Sequence, residues 1–340
     1  MMSSSKPRIA VVGAGAVGSL IGGLLARAGE QVTLIARQAH VEAIRRNGLQ
    51  LEGVLGELTI PVRAMEVLDF QPDLVLLAVK TQDVESVCRQ FRASLRSAVI
   101  ITLQNGVRSD GLVASLLPRE NIISGVVMLN AQFLMPGQVT YARPGSLVIG
   151  EAFCANGHRV REVQELLSRA IRTELSDNIQ GVHWTKLLVN NLANGLEAMA
   201  GLAVRECMRS AGLRRVGTLT LREGHRVIEK AGYRLAPLSG VPAPALQLII
   251  RSPLPVAAWI LSRSMGSLKT LSSTLQSLRR GRPTEIDYLN GEIVRLGQQL
   301  GMPTPYNSRV VQIVKEVERS GQFHEPDVLV RAFSERSPSA

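Results

Sequence analysis

The chain has 340 residues, 45% of them hydrophobic and 20% charged, and a formal net charge of +11. That is the make-up of an ordinary globular protein long enough for two domains. The basic residues are scattered and few aromatics lie near them, which favours anionic small ligands and excludes a surface built for nucleic acid.

The N-terminal stretch Met1-Met2-Ser3-Ser4-Ser5-Lys6 lacks the apolar core of a signal peptide. The β-branched run at residues 9–12 then leads into Gly13-Ala14-Gly15-Ala16-Val17-Gly18, which satisfies G-x-G-x-x-G. A helical pattern follows to Ala28, with Gly29 placed as its C-terminal stop. In such a unit the first glycine allows the tight turn and the second lets backbone approach a pyrophosphate. The third lets helix and sheet pack closely, and the amides at the helix start meet the phosphates. The second strand ends in Ile35-Ala36-Arg37, with no carboxylate before Glu42. NAD sites usually carry an acid there for the ribose hydroxyls. A guanidinium suits a 2′-phosphate instead, so the expected cofactor is NADPH.

Farther along, residues 73–79 read as a buried strand, 83–95 as a helix, and 98–103 and 121–129 as further strands. This alternation predicts a parallel α/β sheet. Over residues 137–150, apolar residues alternate on either side of Arg143-Pro144-Gly145-Ser146, which predicts a hairpin closing the sheet. Two strand ends carry polar residues where ligands bind in a doubly wound sheet. These are Lys80-Thr81-Gln82 and Gln104-Asn105-Gly106. Lys80 can meet a phosphate or carboxylate, and Asn105 can orient the nicotinamide-ribose side.

Beyond about residue 178 strand signals vanish, and helical periods run over 181–232 and 264–301. The expected organisation is a Rossmann dinucleotide-binding domain over 1–178 followed by a mostly α-helical substrate domain over 179–340. Residues 245–265 are the most membrane-like, but Arg251, Pro253, Pro255 and Arg263 interrupt them, so a packed helix or a substrate-side cover is expected rather than a span.

Lys186, Asn190 and Asn194 recur at i, i+4 and i+8 and so lie along one helix face. Their neighbours are mostly apolar, and polar groups in such a helix need partners. An interhelical hydrogen-bond ladder is one way to supply them; a substrate groove is the other. A ketone that receives hydride needs a proton at once, and a partly desolvated lysine has the lowered pKa to give it. Farther on, Thr284 is placed to cap a helix after Pro283. Asp287 then reads as a first-turn acid, and Glu285 as either the same or a cleft carboxylate.

Three widely spaced cysteines and five histidines give no metal or disulfide spacing, and there is no G-x-S-x-G or Walker A sequence. No metal is expected, and a reducing cytoplasm suits such cysteine usage.

Taken together, the motifs resemble the ketopantoate reductase (2-dehydropantoate 2-reductase) family. The resemblance is carried by the glycine fingerprint with Arg37, Val79-Lys80-Thr81, Leu103-Gln104-Asn105-Gly106-Val107, Trp184-x-Lys186 with Asn190 and Asn194, and the run Arg282-Pro283-Thr284-Glu285-Ile286-Asp287-Tyr288-Leu289-Asn290-Gly291. It implies NADPH-dependent reduction of 2-dehydropantoate to (R)-pantoate, a step toward pantothenate and coenzyme A, in a cleft between the two domains. By the same resemblance Lys186 is the general acid and Glu285 orients the lysine and the nascent hydroxyl. Asn190, Asn194 and Ser273 are substrate contacts, while Lys80 and Asn105 lie at the nicotinamide end. Many members continue the lysine helix as Asn-Pro-Leu-Thr-Ala, where this chain has Asn194-Gly195-Leu196-Glu197-Ala198. Reduction of another branched 2-oxo acid, or a non-catalytic NADP(H)-sensing role, are the alternatives. The partner expected is a small-molecule 2-oxo acid, with neither nucleic acid nor membrane; a homodimer is compatible with the sequence.

Overall fold

The computed structural model describes residues 6–238, 243–265 and 271–334. The chain divides into two compact units, Met1–Ile179 and Gln180–Ala340.

The first unit begins β1 (Arg8–Val12), α1 (Ala16–Arg27), β2 (Gln31–Ile35), α2 (Gln38–Asn47) and continues with three short strands, β3 (Leu49–Gly53), β4 (Leu58–Ile60) and β5 (Arg63–Met65). Then come β6 (Leu74–Leu77), α3 (Val84–Gln90), α4 (Arg92–Leu95), β7 (Val99–Thr102), α5 (Ser109–Ala114) and β8 (Ile122–Val127). It closes with β9 (Asn130–Met135), β10 (Gln138–Arg143), β11 (Leu147–Glu151), α6 (His158–Ser168) and β12 (Thr173–Leu175).

An eight-stranded sheet has the order β12-β11-β8-β7-β6-β1-β2-β5. Its central strands β2, β1, β6, β7 and β8 are mutually parallel. Because side chains alternate across a strand, Ile9 and Val11 enter one buried cluster while Ala10 and Val12 enter the other. Both faces are covered, which is why these strands read as continuous apolar runs. The chain moves outward from β1 to β2 and then returns to the other side of β1 with β6. The carboxyl ends of β1 and β6 therefore form the switch point where such sheets bind ligands.

A second sheet of four strands has the order β4-β3-β10-β9. Helix α1 packs between the two sheets, touching β2 on one side and β9 and β10 on the other. Two buried sides explain its nearly unbroken apolar sequence.

The hairpin expected around residues 143–146 does not form. Strand β10 pairs antiparallel with β9 in the small sheet, whereas β11 pairs antiparallel with β8 in the large one. Residues 143–146 instead carry the chain from one sheet to the other, and the true hairpin turns at Gly137, with φ +84°. The alternation in β10 and β11 is real, but pairing is decided by β9, whose half-exposed residues give little apolar signal.

The second unit holds α7 (Ile179–Ala200), α8 (Val204–Cys207), α9 (Ala211–Lys230), α10 (Ala243–Arg251), α11 (Leu254–Met265), α12 (Ser273–Arg279), α13 (Asn290–Gln299), α14 (Pro305–Ser320) and α15 (Pro326–Ser334). Its core gathers Leu192 and Leu196 of α7, Leu213 and Leu221 of α9, and Ile313 and Val314 of α14. The two long helical periods expected from sequence are interrupted. Gly201, at φ +68°, ends α7, and α12 stops at Arg279, with Gly281 beyond it at φ +61°. Among the described residues no helix is long and apolar enough to cross a membrane.

Candidate active site

In the first unit, four sequence-predicted segments lie at the carboxyl ends of neighbouring parallel strands. The glycine turn follows β1, Arg37 follows β2, Lys80 follows β6 and Asn105 follows β7. Hydrogen bonds knit them into one rim. The amides of Gly13 and Ala14 donate to the Ile35 carbonyl at 3.1 and 2.9 Å. Gln104 Nε2 donates to the carbonyls of Leu77 and Val79 at 2.8 and 3.1 Å, stapling the end of β7 to that of β6. The Thr81 hydroxyl donates to the Asn105 carbonyl at 3.2 Å. Arg37 is exposed at the start of α2, and Lys80 and Asn105 are half-buried.

The three glycines answer to different demands. A Cβ on Gly13 would sit 2.5 Å from the Val79 amide nitrogen, and one on Gly18 would sit 2.6 Å from the Gly13 carbonyl oxygen. Packing within the protein excludes both. A Cβ on Gly15 would meet nothing within 4 Å. No neighbour in the fold demands that glycine, so its bare backbone is open to an approaching group. The amides of the first turn of α1, which includes Ala16, Val17 and Gly18, have no partner four residues back, as at every helix start. Together they make the cradle that a pyrophosphate fits.

In the second unit, Lys186, Asn190 and Asn194 lie on α7 as their spacing predicts. Trp184 is buried, with its ring centroid 5.0 Å from that of Tyr233. The Thr185 hydroxyl lies 2.8 Å from both the Gly181 and Ala236 carbonyls. These contacts anchor the helix on either side of the lysine. Lys186 keeps some surface exposure but is closely enclosed by protein, and burial lowers its pKa to about 8, against a smaller opposing pull from Glu285. Lysine and glutamate, nearly a hundred positions apart in sequence, are thus electrostatic neighbours.

Glu285 is not the first-turn acid of an α-helix. It precedes a short 3-10 turn, Ile286–Tyr288, and no α-helix begins until Asn290. Thr284 is clamped from behind, its amide donating to Glu318 Oε1 at 2.8 Å while its hydroxyl donates to the same oxygen. Asp287 pairs with Lys315 at 2.6 Å. The backbone beside Glu285 is therefore fixed by Glu318.

Ser273 is exposed at the first position of α12. Sequence reasoning missed what holds it there. Glu197, only 1% exposed, accepts from the Val204 amide with Oε1 at 2.8 Å and from the Ser272 amide with Oε2 at 2.7 Å. Burial raises its pKa against the opposing effect of these hydrogen bonds. Glu197 lies one helical turn beyond Asn194, so it ties the start of α12 to the polar face of α7. The available signal was a lone carboxylate inside an apolar run, which needs partners wherever it is buried.

Family models match both halves of the chain. One, described as ketopantoate reductase PanE/ApbA, covers residues 9–152, and its C-terminal counterpart covers residues 178–318. The chain belongs to the ketopantoate reductase family. The 2-dehydropantoate 2-reductase of Pyrococcus horikoshii is 30% identical over 316 residues, spanning 92% of this chain and 98% of that protein. Among solved structures, a PanE/ApbA family ketopantoate reductase from Ralstonia eutropha is 33% identical with a TM-score of 0.79, covering 92% of this chain and 98% of its own. D-mandelate dehydrogenase, solved with NADH and anilino(oxo)acetate, is 26% identical with a TM-score of 0.81, covering 92% and 99%.

Proposed function

We propose that the protein reduces 2-dehydropantoate to (R)-pantoate with NADPH, using Lys186 as the proton donor. The observation that carries this reading is the state of Lys186. It is an enclosed ammonium whose pKa is about 8, with Glu285 beside it, on the helix face that also bears Asn190 and Asn194. A bound nicotinamide supplies hydride to the ketone carbon. The protein must supply the proton to the ketone oxygen, and a lysine so depressed surrenders it far more readily than one in water. Glu285 keeps the ammonium oriented and accepts from the hydroxyl as it forms. Asn190, Asn194 and Ser273 bind the polar groups of the 2-oxo acid.

Gly13, Gly15 and Gly18 with the intervening Ala14, Ala16 and Val17 hold the pyrophosphate. Arg37 takes the 2′-phosphate, and Lys80 and Asn105 serve the nicotinamide end. The free cysteines Cys88, Cys154 and Cys207 suit the reducing cytoplasm in which we place the enzyme. The likeness to D-mandelate dehydrogenase favours one second reading, a reductase for a different 2-oxo acid acting through the same residues. Loss of NADPH absorbance with 2-dehydropantoate, phenylglyoxylate and branched 2-oxo acids as competing substrates tests the choice. The highest kcat/KM should fall on 2-dehydropantoate; turnover of phenylglyoxylate alone would transfer the assignment, and turnover of none would end it.

A further inference from the structure

The glycine turn is held from below by a buried relay whose direction the structure fixes. His40, on α2, is 3% exposed, and its ring lies 4.9 Å from that of Phe133. The Gly137 amide, at the tip of the β9–β10 hairpin, donates to His40 Nδ1 at 2.8 Å. A ring nitrogen that accepts carries no proton, so the neutral imidazole bears its hydrogen on Nε2. Nε2 lies 3.0 Å from Ser19 Oγ and is the donor of that pair. The Ser19 hydroxyl then spends its own proton on the Ala14 carbonyl, also at 3.0 Å. Burial is the cause that holds the His40 pKa below its ordinary value, which keeps the ring neutral and the relay pointed one way.

Ala14 lies in the middle of the turn. If its carbonyl swung outward, a partial negative charge would face the phosphates. Ser19 is fully buried, so its hydroxyl draws that oxygen inward and fixes the peptide plane between Ala14 and Gly15. We propose that His40, acting through Ser19, is a positioning residue of the dinucleotide site, holding the Ala14 carbonyl away from the phosphate cradle and tying the turn to the β9–β10 hairpin. This rests on the dinucleotide reading given above.

The test is isothermal titration of NADPH into the native protein and four variants, with NADH also titrated into the native protein and a melting temperature for each. Ser19→Ala removes the last donor and should weaken the NADPH Kd about three- to tenfold, the effect of one net hydrogen bond. His40→Asn keeps an acceptor near Nδ1 but has no donor at Nε2, and should lose as much. His40→Gln places an amide near Nε2 and should recover part of that affinity. Adding Ser19→Ala to His40→Asn should cost little more, because both break the same relay. Lower melting temperatures with an unchanged Kd would reduce the relay to a packing feature and overturn the proposal. Equal losses in His40→Gln and His40→Asn would overturn the direction assigned to it. A native protein that binds neither NADPH nor NADH would instead overturn the dinucleotide reading, and the relay's role with it.

Discussion

Lys186→Met should make the protein more stable while removing its activity. The ammonium is forced from an ordinary pKa of 10.5 down to about 8 by enclosure, even with Glu285 pulling the other way. A depression of that size corresponds to ~3 kcal/mol of penalty on the charged form in the folded state. Partial exposure of the side chain screens some of it, which leaves about 1–3 kcal/mol. Methionine keeps most of the length, replaces the stem with an apolar one and sheds the charge. The sign follows from protonation in the two states. Below pH 8 the folded native protein carries the charged lysine and the whole penalty. Between pH 8 and 10.5 the folded lysine has released its proton while the unfolded one keeps it, so native stability rises with pH across this window. The variant should therefore be the more stable at pH 7, melting about 2–4 °C higher for each kcal/mol gained, and its advantage should shrink by pH 10. Urea unfolding at both pH values measures this, and turnover on the same samples should be about a hundred- to ten-thousand-fold down. An advantage equal at both pH values would mark a packing gain with no charge penalty behind it. A variant that is less stable at pH 7 and still turns over would refute the reasoning altogether.

In the reducing direction kcat should be level below about pH 8 and fall above it as Lys186 loses its proton, with oxidation of pantoate showing the opposite limb. Glu285→Gln removes the charge that raises the lysine pKa, so this limb should move to lower pH and turnover should drop with little change in melting temperature; a limb that stays in place would detach Glu285 from the lysine. Arg37→Ala should weaken NADPH binding about tenfold or more and leave NADH binding unchanged in a direct titration. Gly15→Ala should fold normally and lose cofactor affinity, because its Cβ enters open space, whereas Gly18→Ala should lose melting temperature through its 2.6 Å approach to the Gly13 carbonyl oxygen.

The local part of this fold is legible in the sequence because its determinants are local. Strand β1, the glycine turn and α1 are set by β-branched residues, turn chemistry and a helical period within thirty positions. The central strands of the large sheet are buried on both faces and so announce themselves as apolar runs. The small sheet is hidden for the converse reason. Strand β4 has three residues, too few to show a period, and β9 is half-exposed along most of its length. Strand β10 pairs in parallel with β3, more than eighty residues away, and no alternation within 137–150 can report that. Of the helical period over 264–301, residues 266–270 lie outside the described residues, and between α12 and α13 the chain leaves the helix over residues 280–289, where only a short 3-10 turn forms.

The site divides along the same line. The stripe of Lys186, Asn190 and Asn194 follows from spacing alone, since one helix fixes all three. Glu285 could not be read from its position, because neither the 3-10 turn that follows it nor its nearness to Lys186 on another element is written in the local sequence. His40, Ser19 and Glu197 are buried polar groups, and sequence reveals only that such groups need partners, never which ones. Lys186 shows why the most informative residue of the chain is also an unfavourable one for folding. In water a lysine keeps its proton to about pH 10.4 and gives it up too reluctantly to serve a ketone at neutral pH. The enclosure that brings it to about 8 also burdens α7 with a charge the fold would be more stable without. A helix selected for stability alone would place leucine or methionine there. The cost of that enclosure and the use proposed for it have one cause, the removal of water from the ammonium.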